Sequence, residues 1–170
     1  MKKRVFLFAL ATVIAAAACN KGEEEGVVIN PQDIGFVHSA TLNNIAEIAL
    51  SQLAFDSSQT PEIKAFAQKM VNEHSQLQGE LEALASNMGI PTPDTLETKY
   101  TQLMSQLRNL KDRSFDSVYI HNQLDDHQTA IILYSNAHSL GNNSQIKDFA
   151  RGVLPRLLEH RSRSYQWFDL

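Results

Sequence analysis

Glu47, His74, His127 and His160 are groups able to bind a transition metal, and each sits in the apolar stripe of a different amphipathic segment. Three imidazoles and one carboxylate would complete a four-coordinate shell around zinc, copper or iron, ions that accept nitrogen and oxygen ligands. The same set would also serve as a buried hydrogen-bond network, with Glu47 accepting from one or more imidazoles and fixing the helix register. Polar titratable groups on an apolar face are costly unless paired, hydrogen-bonded or metal-bound, so either use requires the four side chains to converge.

Convergence requires four helices, and four are legible. The first stripe is Phe36, Ala40, Asn43, Glu47, Leu50 and Ala54. The second is Ile63, Phe66, Met70, His74, Leu77, Leu81, Leu84 and Met88. Ile120, Leu124, His127, Ile131, Tyr134 and His138 form the third. The fourth is Ile146, Phe149, Val153, Leu157, His160, Ser164 and Trp167. Steps of three or four residues keep side chains on one helical face.

The punctuation agrees. The first helix is expected over about Asp33–Asp56. Thr60-Pro61-Glu62 offers an N-cap, a proline at the first helical position and an early acid for the second. Gly89 followed by Pro91 stops it. Asp94 with Glu97 suggests a capping box for a shorter segment carrying Leu96, Tyr100, Leu103, Leu107 and Leu110. Ser114 with Asp116 opens the third long helix, and Gly141-Asn142-Asn143-Ser144 separates it from the fourth. Pro155, inside the last helix, should kink it.

Two helical hairpins are related by a repeat: Ile63-Lys64-Ala65-Phe66-Ala67 against Ile146-Lys147-Asp148-Phe149-Ala150. Glu47 precedes Ile63 by sixteen residues and His127 precedes Ile146 by nineteen; His74 follows Ile63 by eleven and His160 follows Ile146 by fourteen. Both arms of the second hairpin are longer by three residues, about 4.5 Å of rise, as expected if each pair meets across its own hairpin.

Residues 1–19 read as a separate targeting segment. Lys2, Lys3 and Arg4 precede an uncharged run, Val5 to Ala18, too short to span a bilayer comfortably. Ala16-Ala17-Ala18-Cys19 resembles a lipobox, which implies cleavage before Cys19 and its lipidation, although Ala16 stands where Leu is usual. The alternative is an ordinary signal peptide. With one cysteine, no internal disulfide is available. Residues 20–31 form a polar tether, and residues 32–170 the folded domain. Asn20 after the cysteine favours outer-membrane attachment.

Cleavage takes Lys2, Lys3 and Arg4 from a chain of formal charge −4, leaving −7. An acidic domain without a basic stripe argues against nucleic-acid partners and against docking on anionic lipid, so membrane contact is expected through the lipid on Cys19 alone.

Several stretches resemble a known family: Ala46-Glu47-Ile48, Ile63 to Ala67, Met70 to Ser75, Phe115 to Tyr119, Asp126-His127, and Leu154-Pro155 with Glu159-His160. They are similar to the ferritin-like bacterial envelope proteins grouped as domain of unknown function 4142, often labelled predicted outer membrane proteins. The resemblance implies an all-α, ferritin-like four-helix bundle of two helical hairpins, with residues 89–113 as the connection. It implies no biochemical activity. Where the family pattern has Asp before the second-helix histidine, this chain has Glu73.

Di-iron oxidase chemistry is disfavoured, because such bundles need Glu-x-x-His pairs and the chain has none. The acids beside the histidines, Glu73, Asp126 and Glu159, lie about 100° away around each helix and read as solvated. His38, His121 and His138 lie off the stripes or near a helix end, while Tyr119, Tyr134 and Trp167 read as packing residues with polar tips. No serine has a Ser-His-acid arrangement. Two function classes follow. One is a non-enzymatic, lipid-anchored envelope protein whose bundle is a structural or interaction module. The other is an envelope protein binding one transition-metal ion through Glu47, His74, His127 and His160.

Overall fold

The computed structural model describes residues 29–169. The signal segment, the lipidation site at Cys19 and most of the tether lie outside the described residues. Five helices follow: α1 (Pro31–Ser57), α2 (Pro61–Asn87), α3 (Thr98–Arg108), α4 (Asp112–Leu140) and α5 (Ser144–Tyr165). No strand occurs among the described residues. Helices α1 and α2 form one hairpin, α4 and α5 the other, and α1 packs on α4 while α2 meets α5. Short α3 joins the hairpins and lies against α1 and α4. The architecture is an all-α, ferritin-like bundle of two hairpins with a short connecting helix.

Helix starts depart from expectation for local reasons. Helix α1 begins two residues before Asp33, because the Asn30 side chain accepts the Asp33 N–H at 2.9 Å and Asp33 accepts the Asn30 N–H at 3.4 Å. That is a reciprocal capping box followed by Pro31. The expected Asp94–Glu97 box does not form; Glu97 is the N-cap of α3 and makes no side-chain cap bond. Helix α4 starts before Ser114, at Asp112. Thr60 precedes α2 as expected but caps nothing with its side chain. Its hydroxyl donates instead to Asp116, which also accepts from Ser58 at 2.6 Å.

Asp116, read from sequence as a helix-start residue, is therefore a buried clamp on the α1–α2 turn. Hydrogen bonds to a charged acceptor carry roughly 1.5–3 kcal/mol each, so Asp116→Ala should cost about 2–4 kcal/mol. Urea unfolding measures this as a lower midpoint, and an unchanged midpoint would contradict the clamp.

The turn between α4 and α5 requires glycine. A Cβ on Gly141 would lie 2.4 Å from the Ala137 carbonyl oxygen, which accepts the Gly141 N–H at 3.1 Å. Asn143 then caps α5, accepting from Gln145 and Ile146 at 2.9 and 3.2 Å. Helix α5 continues through Pro155 to Tyr165.

The core has two apolar layers. One, beside α3 and the α1–α2 turn, includes Leu50, Ile63, Met70, Leu107, Tyr119 and Ile120. The other, at the α4–α5 turn, includes Phe36, Leu77, Leu81, Tyr134, Ile146 and Leu157. Between the two layers each long helix contributes buried polar side chains: Asn44 and Glu47 from α1, His74 from α2, Gln123 and His127 from α4, and His160 from α5. The bundle thus encloses a polar belt sealed above and below by hydrocarbon. No helix among the described residues is long and apolar enough to cross a membrane.

Candidate metal centre

The belt brings three of the four expected residues to one point. His127 Nε2 lies 3.4 Å from His74 Nε2 and 3.1 Å from His160 Nδ1. One ring nitrogen from each histidine falls within 4.8 Å of the others, and no carboxylate joins this group. All three histidines are at most 3 % exposed. Glu47 lies elsewhere in the belt. Its Oε1 is 3.5 Å from His127 Nδ1, on the outer side of that ring, and its Oε2 accepts from the Gln123 amide at 2.6 Å.

The outward nitrogens are each held. His74 Nδ1 meets Asn44 Oδ1 at 3.1 Å, His127 Nδ1 donates to the Gln123 carbonyl at 2.9 Å, and His160 Nε2 donates to Glu73 Oε2 at 2.6 Å. A backbone carbonyl and a carboxylate can only accept, so neutral His127 carries its proton on Nδ1 and neutral His160 on Nε2. Their inward nitrogens, 3.1 Å apart, then both present lone pairs. Two facing lone pairs repel in a medium of low dielectric, and a cation between them turns that repulsion into ligation. The Asn44 oxygen sets His74 the same way, with Nε2 inward.

Electrostatics agree with neutral rings. Burial pushes His127 down to about 3, with the neighbouring His160 adding to the fall. Burial likewise drives His74 well below the ordinary imidazole range, helped by the charges of His127 and His160. His160 is lowered less, because the Glu73 carboxylate opposes the burial. Glu47 is pushed well above the carboxylate range by burial and by Asp126, against the hydrogen bond from Gln123. Glu73 moves the other way: burial would raise it, but the Lys69 ammonium and the His160 N–H together hold it below its usual value.

Neighbouring acids divide. Glu73, expected to be solvated, instead orients His160 across the α2–α5 interface. Asp126, also read as solvated, accepts from Tyr100 at 3.0 Å and from Asn122 at 2.7 Å. Glu159 is at the surface, paired with Arg163 at 2.9 Å. The remaining histidines lie apart: His38 donates to the Pro91 carbonyl, His121 reaches the Ser117 carbonyl within its own helix, and His138 reaches the Lys147 carbonyl. Tyr119 is a packing residue whose hydroxyl meets Ser51 at 2.9 Å, and Trp167 packs on Phe66.

Two members of the belt escaped the sequence reading. On α1 the buried position is Asn44, whereas Asn43 is half-buried, so the stripe runs Ala40, Asn44, Glu47. Gln123, fully buried, stands one turn before His127. Its signal was a polar residue flanked by Ile120 and Leu124 at helical spacing. Asn44 also corrects the pairing across the first hairpin, since it, not Glu47, bonds His74.

Fold and site together define a ferritin-like helical bundle with a buried three-histidine centre. The chain belongs to the family described as Domain of unknown function (DUF4142), whose model matches residues 20–166. A comparison with curated protein sequences finds no match. Among solved structures it is similar to a DUF305 fragment from Deinococcus radiodurans, with TM-score 0.72 and 14 % identity over 82 % of this chain and 97 % of that one. It is also similar to CopM in the Cu(I)-bound form, with TM-score 0.67 and 16 % identity over 81 % of this chain and 95 % of that one. The Cu(II)-bound form of CopM gives 0.68 and 15 % over the same shares, 81 % and 95 %. At such identities the likeness is one of fold.

Proposed function

We propose that this chain is an envelope protein that sequesters one transition-metal ion between His74 Nε2, His127 Nε2 and His160 Nδ1, and that copper is the metal. The observation carrying the reading is the 3.1 Å approach of two inward nitrogens whose protons are both held on the outer side. Metal–imidazole bonds of about 2.0–2.1 Å place ligand nitrogens roughly 3.3–3.6 Å apart around one ion, close to the 3.4 and 3.1 Å that separate His127 Nε2 from His74 Nε2 and His160 Nδ1. A hydrogen-bond network without metal would need a proton shared between the rings, and burial opposes that proton.

Three imidazoles without a fourth protein ligand fall short of the tetrahedral shell that structural zinc requires. Imidazole suits copper, and a monovalent ion is the least costly charge to enclose in a dry core. The similarity of fold to CopM in its copper-bound forms supports the same choice. Glu47, expected as a fourth ligand, acts in this reading from behind. Its carboxyl group lies on the outer side of His127, 3.5 Å from Nδ1, where a second-layer acid helps to fix the orientation of the ring. The lipobox-like Ala16-Ala17-Ala18-Cys19 supports attachment to the membrane by lipid, with the bundle held off it by the tether.

The test is metal content. Purified protein loaded separately with copper(I), copper(II), zinc and iron(II), then desalted, should retain one equivalent of copper. The His74→Ala/His160→Ala double variant should retain none. Wild-type protein that keeps no metal under any loading would leave the structural or interaction module as the surviving class.

A further inference from the structure

We propose that ions reach the histidine centre through the groove between α2 and α5, with Glu73 as the carboxylate that passes them to His160; this rests on the metal reading above. The centre is shut along the bundle axis by the two apolar layers. On the α1–α4 side it is backed by Asn44, Glu47 and Gln123, each at most 4 % exposed. Glu73 is different. One carboxylate oxygen holds His160 Nε2 at 2.6 Å, while the side chain remains 29 % exposed.

The exposed side of Glu73 lines a solvent-open groove of about 430 Å³, together with Gln76, Gly152, Pro155, Arg156 and Glu159. Gly152 leaves this wall low: a Cβ built there meets nothing within 4 Å. At the rim, Lys69 pairs with Glu73 and lies 3.6 Å from Glu159. A hydrated cation drawn to the two carboxylates replaces Lys69 as the partner of Glu73 and exchanges water for a carboxylate oxygen. Glu73 then releases the His160 N–H. The freed imidazole turns its unprotonated Nδ1 to the ion, and the ion moves inward as His127 and His74 replace its remaining waters. Coordination bonds are exchanged, His160 keeps its proton on Nε2, and the metal keeps its oxidation state. Once the ion is seated, Glu73 again accepts from His160 and closes the passage.

Gly152→Leu tests the route without touching a ligand. A Cβ at this position meets nothing within 4 Å, and leucine is the better helix former. Copper(I) is offered as its complex with a chromophoric chelator, and transfer is followed by loss of the chelator's colour. Uptake and release should both slow at least tenfold in the variant, with the equilibrium position unchanged within twofold. Glu73→Gln, which can still accept from His160 through its amide oxygen, should slow uptake as well. Wild-type rates in Gly152→Leu would overturn the route, as would weakened equilibrium binding with unchanged uptake. If wild-type protein draws no copper from the chelator at equilibrium, the metal reading itself falls, and the route falls with it.

Discussion

Copper loading should raise the melting temperature of this protein by about 10 °C, and His160→Phe should abolish the increase. A ligand that binds only the folded state adds roughly 4 kcal/mol when its free concentration is a thousand times the dissociation constant. For a domain of this size each kcal/mol is worth about 2–5 °C. His160 is the informative position because its loss strands the least. Its outer partner Glu73 is partly exposed and already paired with Lys69, whereas His127 stands between the other two rings, 3.4 Å from His74 and 3.1 Å from His160. Metal-free His160→Phe should therefore melt within a few degrees of the wild type. Differential scanning calorimetry with and without copper measures both halves. A copper-dependent rise surviving in the variant would place the ion elsewhere.

Acid should destabilise the metal-free protein more strongly than metal loading alters it. An imidazole less basic in the folded chain than in the unfolded one contributes stability that is whole above about pH 6.5. That contribution drains away as the pH falls toward the folded value. His127, brought down to about 3, accounts for roughly 4–5 kcal/mol by that point, and His74 and His160 act in the same direction. Glu47 and Asp126 act oppositely. Burial raises both, so the folded state holds protons that the unfolded chain releases, and their contribution is whole in acid and lost as the pH rises. The histidine loss is thus partly offset in the wild type. Glu47→Gln removes one offset, and stability should fall more steeply between pH 6.5 and 4 in that variant while being higher than wild type at pH 7. Urea midpoints across this range decide the matter. A parallel pair of curves would mean that Glu47 does not change its protonation.

Sequence and structure divide the description along a physical line. Helical periodicity placed His74, His127 and His160 on buried faces because every polar break in an apolar stripe is conspicuous. Proline at the start of α2 and glycine before Pro91 marked real boundaries, since each acts through its own backbone. Helix α4 starts ahead of the expected Ser114 because Asp116 is not a local cap. Its hydroxyl donors come from Ser58 and Thr60, more than fifty residues away.

The chain by itself settled the four long helices, their pairing into hairpins and the three histidines, because burial pattern and turn chemistry are carried by neighbours within a few residues. Only the tertiary structure decided that Asn44 replaces Asn43 in the belt, that Glu73 serves a histidine on another helix, and that Glu47 stands behind His127. One residue is 100° of helix, and a long side chain reaches across that arc. Which nitrogen faces inward depends on which acceptor the neighbouring helix brings to the other side of the ring.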